Sequence, residues 1–232
     1  MKKLILLIVV LFAVSQVADA KSKGRKSNRN QEFKGYYGLG LGASLPMGDF
    51  KGPDDAKILG KQVTGVHIAL ANAGYKLAGP VGICAQVFVG ANRSDYTGND
   101  FTKPVPAVEV STKDKDSYWV YSGVLIGPLF SFDLSDFVID IRPQYGLTYV
   151  ATPELNTDIT DGVLFKSSRN SGTGYDIGAT FRYKYSEKGS IGLNLDYFGT
   201  KVDYQREINN VTTNMSQKIN VLGVGIALVF AM

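Results

Sequence analysis

The chain is poor in the residues from which most catalytic and metal centres are built. Its 232 residues include one cysteine, Cys84, one histidine, His67, and one tryptophan, Trp119. A lone cysteine excludes an intrachain disulfide framework and a cysteine zinc cluster, and a lone histidine excludes every multi-histidine metal site. Charged residues make up only 20% against 11% aromatics, which excludes a disordered chain, and the 8 prolines follow no glycine period, which excludes a collagen. There is no G-x-S-x-G element. No cofactor is expected from such a set. Long apolar runs are missing too. The stretch from Leu4 to Val14 has 11 residues, whereas a spanning helix needs about 20, and every later apolar run is soon broken by Gly, Asn, Asp or Lys.

What the chain has is unevenly placed. The formal charge is +4. Residues 21–34 carry Lys21, Lys23, Arg25, Lys26, Arg29 and Lys34 against Glu32, a net +5, and residues 1–20 add +1, so the remaining 198 residues sum to −2. That removes the electrostatic basis for nucleic acid as a partner of the folded part. Lys2 and Lys3, the apolar run and Ala18-Asp19-Ala20 read as a signal peptide over 1–20 cut before Lys21, hence Sec-type export. Residues 21–34 read as a basic periplasmic lead-in, and 35–232 as one domain.

Within 35–232 the dominant pattern has period two, the mark of strands with unlike faces. From Phe137 to Tyr149 the odd positions are apolar or aromatic and the even ones include Asp140, Arg142, Gln144 and Thr148. The runs Gly174 to Tyr185 and Ile191 to Tyr197 repeat this, as do weaker copies at 37–45, 81–89 and 222–230. Two further runs, 62–75 and 117–132, bring the count to eight, with a bulge expected at Gly127 and Pro128. Connections alternate: 76–80, 133–136 and 186–189 are short, while 47–61, 97–116, 153–171 and 203–213 are long and polar. This predicts an all-β, eight-stranded antiparallel up-and-down transmembrane barrel, with short periplasmic turns, long external loops and both termini on the turn side. Strands of ten or more residues suit a bilayer crossing. Two aromatic girdles are expected, one of Tyr36, Tyr37, Tyr75, Phe130, Phe132, Phe137, Tyr183 and Tyr185, the other of Tyr118, Trp119, Tyr149, Tyr175 and Tyr197.

The segments YYGLGLGASLP at 36–46, IGPLFSF at 126–132, RPQYGLTY at 142–149, IGLNLDYFGT at 191–200 and INVLGVGIALVF at 219–230 resemble the small outer-membrane β-barrel domain of Bacteroidota-type bacteria. PorT-like and porin-family proteins belong there, and OmpA/OmpX-type barrels are more distant likenesses. The resemblance implies a cell outer-membrane location in a Gram-negative envelope and contact with outer-membrane lipid and lipopolysaccharide. It also implies barrel assembly machinery and periplasmic chaperones as partners during biogenesis. The terminal aromatic of such barrels has its counterpart in Phe230, followed here by Ala231 and Met232.

Candidate site residues follow from the polar faces. Asp140, Arg142, Asp176, Arg182, Lys184 and Asp196 occupy the inward face of three consecutive strands. An eight-stranded barrel has room inside chiefly for side chains, so these charges are expected to pair as a lumen ion network. Arg182 is expected opposite Asn194, diagonal to Asp196 and level with Asp140. Gly38, Gly40 and Gly42 imitate a dinucleotide loop but continue as a strand, not a helix. Cys84 is expected to be a buried, inert thiol. The chain therefore reads as a non-enzymatic barrel that anchors external loops or docks with an envelope complex. The alternatives are a narrow passive channel and a barrel hydrolase using His67.

Overall fold

A computed structural model describes residues 34–51, 61–95, 117–152, 163–164, 169–208 and 211–232. The expected signal peptide and all of the lead-in but Lys34 lie outside these residues, as do most of the three connections between 52 and 168.

Eight long strands form the wall: β1 Gly35–Met47, β2 Gly65–Ala78, β3 Val81–Asp95, β4 Ser117–Leu134, β5 Phe137–Ala151, β6 Arg169–Lys184, β7 Gly189–Ile208 and β8 Val211–Ala231. Each pairs antiparallel with the next. β1 then pairs with β8 from Tyr36 opposite Ala231 to Met47 opposite Asn220, which closes the barrel. Two-residue strands at Lys61–Gln62 and Val163–Leu164 extend β3 and β7 at the loop end, and one helical turn, α1 at Gly48–Lys51, follows β1. The short connections are tight because their residues accept left-handed backbone: Gly79 has φ +53° and Ser135 φ +67°.

The expected alternation holds, and its sense is the reverse of a water-soluble barrel. Leu41 and Leu147 point outward with 62% and 71% of their surface exposed, in a band with Val124, Ile126, Ile177, Phe181, Leu193 and Ile226. Asp140, Arg142, Gln144, Asp176 and Asp196 are buried within. Small inward residues let large rings fold over them. A Cβ on Gly74 would stand 2.4 Å from the Tyr36 ring opposite it, and one on Gly90 would stand 2.3 Å from that of Tyr121.

Three expectations need correction. The irregularities lie in β2, at Leu70 and again at Leu77, not at Gly127 and Pro128. Leu70 is an extra residue between Ala69 and Ala71 against both neighbouring strands, so outward parity passes from Val66, Ile68 and Leu70 to Ala71, Ala73 and Tyr75. In β4 the register is the same on both sides of Gly127 and Pro128. It sets Pro128 against Pro143, two residues without N–H groups, so the ladder is interrupted without an inserted residue. Second, 203–213 is no long loop: β7 and β8 remain paired out to Ile208 opposite Val211, a hairpin that outruns its neighbours. Third, Tyr36, Trp119 and Phe132 are not girdle residues but are buried. The outward girdles keep Tyr37, Tyr75, Phe137, Tyr183 and Tyr185 at the turn end and Tyr118, Tyr149 and Tyr175 at the loop end.

Candidate functional site

The inward side chains stack in layers from the turn end to the loop end. Nearest the turns, Lys184 Nζ lies 2.6 Å from Asp133 Oδ2 and donates also to the Ser135 carbonyl at 3.0 Å. One layer deeper, Arg182 Nε donates to Asp140 Oδ2 at 2.7 Å, and its guanidinium carbon lies 4.5 Å from the centre of the Tyr36 ring. At mid-height Arg142 Nη2 donates to Asp196 Oδ1 at 3.0 Å, with Arg142 only 1% exposed. Gln144 Nε2 and the Cys84 sulfur meet at 3.4 Å in the same region, where the thiol also reaches the Gly127 carbonyl.

These pairings differ from those expected. Arg182 faces Gly192, not Asn194, because the turn after β6 sets Tyr183 opposite Ile191 and Thr180 opposite Asn194. It pairs with Asp140, which sits diagonally across on β5. Asp196 instead takes Arg142, across β6. That reach is possible because the intervening inward residue is Gly178, opposite Arg142 on one side and Asp196 on the other. A Cβ there would stand 2.5 Å from Asp196 Oδ1, 3.0 Å from Arg142 Nη2 and 3.1 Å from Asp176 Oδ1. Asp176 joins the group without an ion pair; its Oδ1 has no hydrogen-bond partner among the described residues. Lys184 is drawn to Asp133, an acid at the end of β4 that pattern reading left out. Its signal was its place before a tight turn, level with the end of β6.

Above the ions the lumen is aromatic. Phe88 packs on Phe198 with ring centres 4.8 Å apart, Tyr121 stacks on Phe198 at 5.5 Å, and Phe50 of α1 caps Trp119 edge-on at 5.8 Å. Ser44, Asn92 and Tyr121 close a buried hydrogen-bonded trio, with 2.7 Å between Ser44 Oγ and Asn92 Oδ1 and 2.5 Å between the Ser44 and Tyr121 oxygens. His67 stacks on Phe88 at 5.5 Å, and neither of its ring nitrogens has a hydrogen-bond partner among the described residues. A void of about 10 Å³ lies beside it, in the seam of Gly40, Gly42, Gly223 and Gly225 where β1 meets β8. That is space for about one water molecule.

No protein-family model matches the chain, and no curated protein sequence matches it. Several solved structures share its shape. The outer membrane protein OprG from Pseudomonas aeruginosa is 13% identical, with 85% of this chain and 97% of that one covered and a TM-score of 0.49. The attachment invasion locus protein Ail of Yersinia pestis is 14% identical, covering 85% and 99%, with a TM-score of 0.43. The outer membrane protease OmpT from Escherichia coli is 8% identical, covering 89% and 99%, with a TM-score of 0.44. Likenesses this distant add nothing to the closed register described above.

Proposed function

We propose that this chain is an exported outer-membrane barrel that anchors and displays external loops or docks with an envelope complex, without catalysing a reaction. The observation that carries the reading is the inverted sense of the wall: apolar side chains face out around the barrel while ion pairs are sealed within. In water, an exposed apolar band of that extent is an aggregation liability. In a bilayer it is solvated by acyl chains and flanked by tyrosines at both interfaces. Lipid and lipopolysaccharide are then its immediate surroundings, and barrel assembly machinery and periplasmic chaperones its partners before insertion. The likeness to PorT-like and porin-family domains belongs to this same reading.

The filled lumen favours display over transport. For the hydrolase alternative, His67 would need a nucleophile; among the described residues no hydrogen bond joins it to a serine or threonine. Protease added to intact cells tests the orientation. Cleavage is expected within 97–116 and 153–168 while 133–136 is spared. Cutting that requires an opened outer membrane would reverse the topology, and recovery of the protein away from the outer-membrane fraction would end the reading.

A further inference from the structure

The turn-end mouth of the lumen holds donors that the ion network does not use. Arg182 spends Nε on Asp140, and among the described residues nothing accepts a hydrogen bond from its two Nη groups. Arg182 lines a cavity of about 40 Å³ together with Lys76, Lys184, Ser186, Lys188 and Ser190. Two acids, Asp133 and Glu187, share the lining. Asp133 is taken by Lys184, whereas Lys76 and Lys188 have no ion pair among the described residues. With Arg182 neutralised by Asp140 and Lys184 by Asp133, the lining side chains leave two lysines facing Glu187, beside the Met232 main chain that bonds Gly35 at the same rim. A guanidinium edge is a planar pair of donors whose spacing matches a carboxylate. The space equals that of roughly three water molecules, enough for one carboxylate and too little for a folded ligand.

We infer that this mouth binds the terminal carboxylate of a peptide, with the Arg182 Nη groups on its oxygens and Lys76 and Lys188 closing over it. The Ser190 hydroxyl of the same wall offers a partner to the adjoining amide, whereas Ser186 Oγ already accepts the Gly189 N–H. The site stands on its own geometry and rests on the proposed function only for the compartment it faces. If that side is periplasmic, the available peptide termini are those of cell-wall stem peptides and of envelope proteins.

The test is a titration of the isotopically labelled, detergent-solubilised full barrel, followed by amide NMR, with N-acetyl-D-alanyl-D-alanine and N-acetyl-L-alanyl-L-alanine. Each is run also as its C-terminal amide. The expected result is a saturable shift at Gly35, Lys76 and 186–190 with the acids and none with the amides. Lys76→Gln with Lys188→Gln should weaken binding by at least about tenfold, equivalent to about 1.4 kcal/mol, and Arg182→Lys, which keeps the charge for Asp140 but loses the fork, should do the same. Lys218→Gln, at the loop end, should leave it unchanged. Preference for the D-peptide supports a cell-wall terminus, and equal affinity supports a protein terminus. Shifts that do not saturate by roughly 100 mM, where screening alone operates, would overturn the inference. So would equal shifts with the amides, or affinity indifferent to the two lysines. Failure of the outer-membrane reading would appear in fractionation and leave this titration untouched.

Discussion

Gly178 determines whether the mid-height ion layer can exist. It is the one inward residue between Arg142 and Asp196, and the pair passes through the space a side chain would fill. Gly178→Ala pushes a methyl to 2.5 Å from a carboxylate oxygen of a residue only 2% exposed, so either the ion pair or the wall must move. Overpacking of this kind costs about 1–3 kcal/mol. The control is Gly172→Ala, whose methyl would meet nothing nearer than the Lys201 carbonyl at 3.4 Å. Urea unfolding in lipid vesicles should separate the two, and equal stabilities would remove Gly178 from this role. The pair itself invites a double-mutant cycle. Arg142→Leu strands Asp196 beside Asp176 and should cost about 3–5 kcal/mol, the toll of an uncompensated buried charge, while adding Asp196→Leu should recover much of it. A double variant as unstable as the sum of the singles would show that the charges act independently.

Among the elements, β4 separates what the sequence reveals from what it hides. In β5, β6 and β7 one face is polar, so alternation alone assigns inside and outside; Asp140, Arg142, Asp176, Arg182 and Asp196 are buried, and Lys184 stands part-exposed at the turn end. β4 has apolar residues on both faces: Trp119, Tyr121, Leu125 and Leu129 are buried inside, while Tyr118, Val120, Val124 and Ile126 face out. Period two carries no sign when both faces are greasy, so the sequence alone does not separate the buried Trp119 from its girdle neighbour Tyr118. β2 hides its parity differently, because one inserted residue at Leu70 exchanges the faces midway. The ion partners were hidden by register, since a shift of two residues at one turn moves Arg182 from Asn194 to Gly192. Strands of alternating polarity thus disclose which side chains point inward, but the pairing among them depends in part on neighbours two strands apart. Trp119, the only tryptophan, makes the β4 assignment measurable. In vesicles containing brominated lipids its fluorescence should be quenched weakly, whereas a Tyr118→Trp, Trp119→Phe variant should be quenched strongly. The opposite ranking would turn β4 inside out.

At the scale of the whole molecule, closure at eight strands and the contents of the lumen together set what can pass. Eight strands leave an interior that side chains can fill, whereas open porins use about 16–18. Here the filling stacks in layers: Lys184 with Asp133, Arg182 with Asp140 and Tyr36, Arg142 with Asp196, then Phe88, Phe198, Tyr121 and Trp119 beneath Phe50. Two voids among the described residues measure about 40 Å³ at the turn-end mouth, beside Arg182, and about 10 Å³ in the glycine seam, beside Asp196. A hydrated ion crossing the barrel would have to part both buried ion pairs and then the aromatic layer, and parting one such pair alone costs several kcal/mol. Purified protein in planar bilayers should therefore show no steady porin-sized conductance. Removing the aromatic cap by Phe50→Ala should leave conductance low, because the ion layers still block the path, while Phe88→Ala combined with Arg142→Ala should raise it if the barrel stays folded, as judged by retained heat-modifiable migration. A large stable current from the unmodified protein would overturn the display reading and establish the channel in its place.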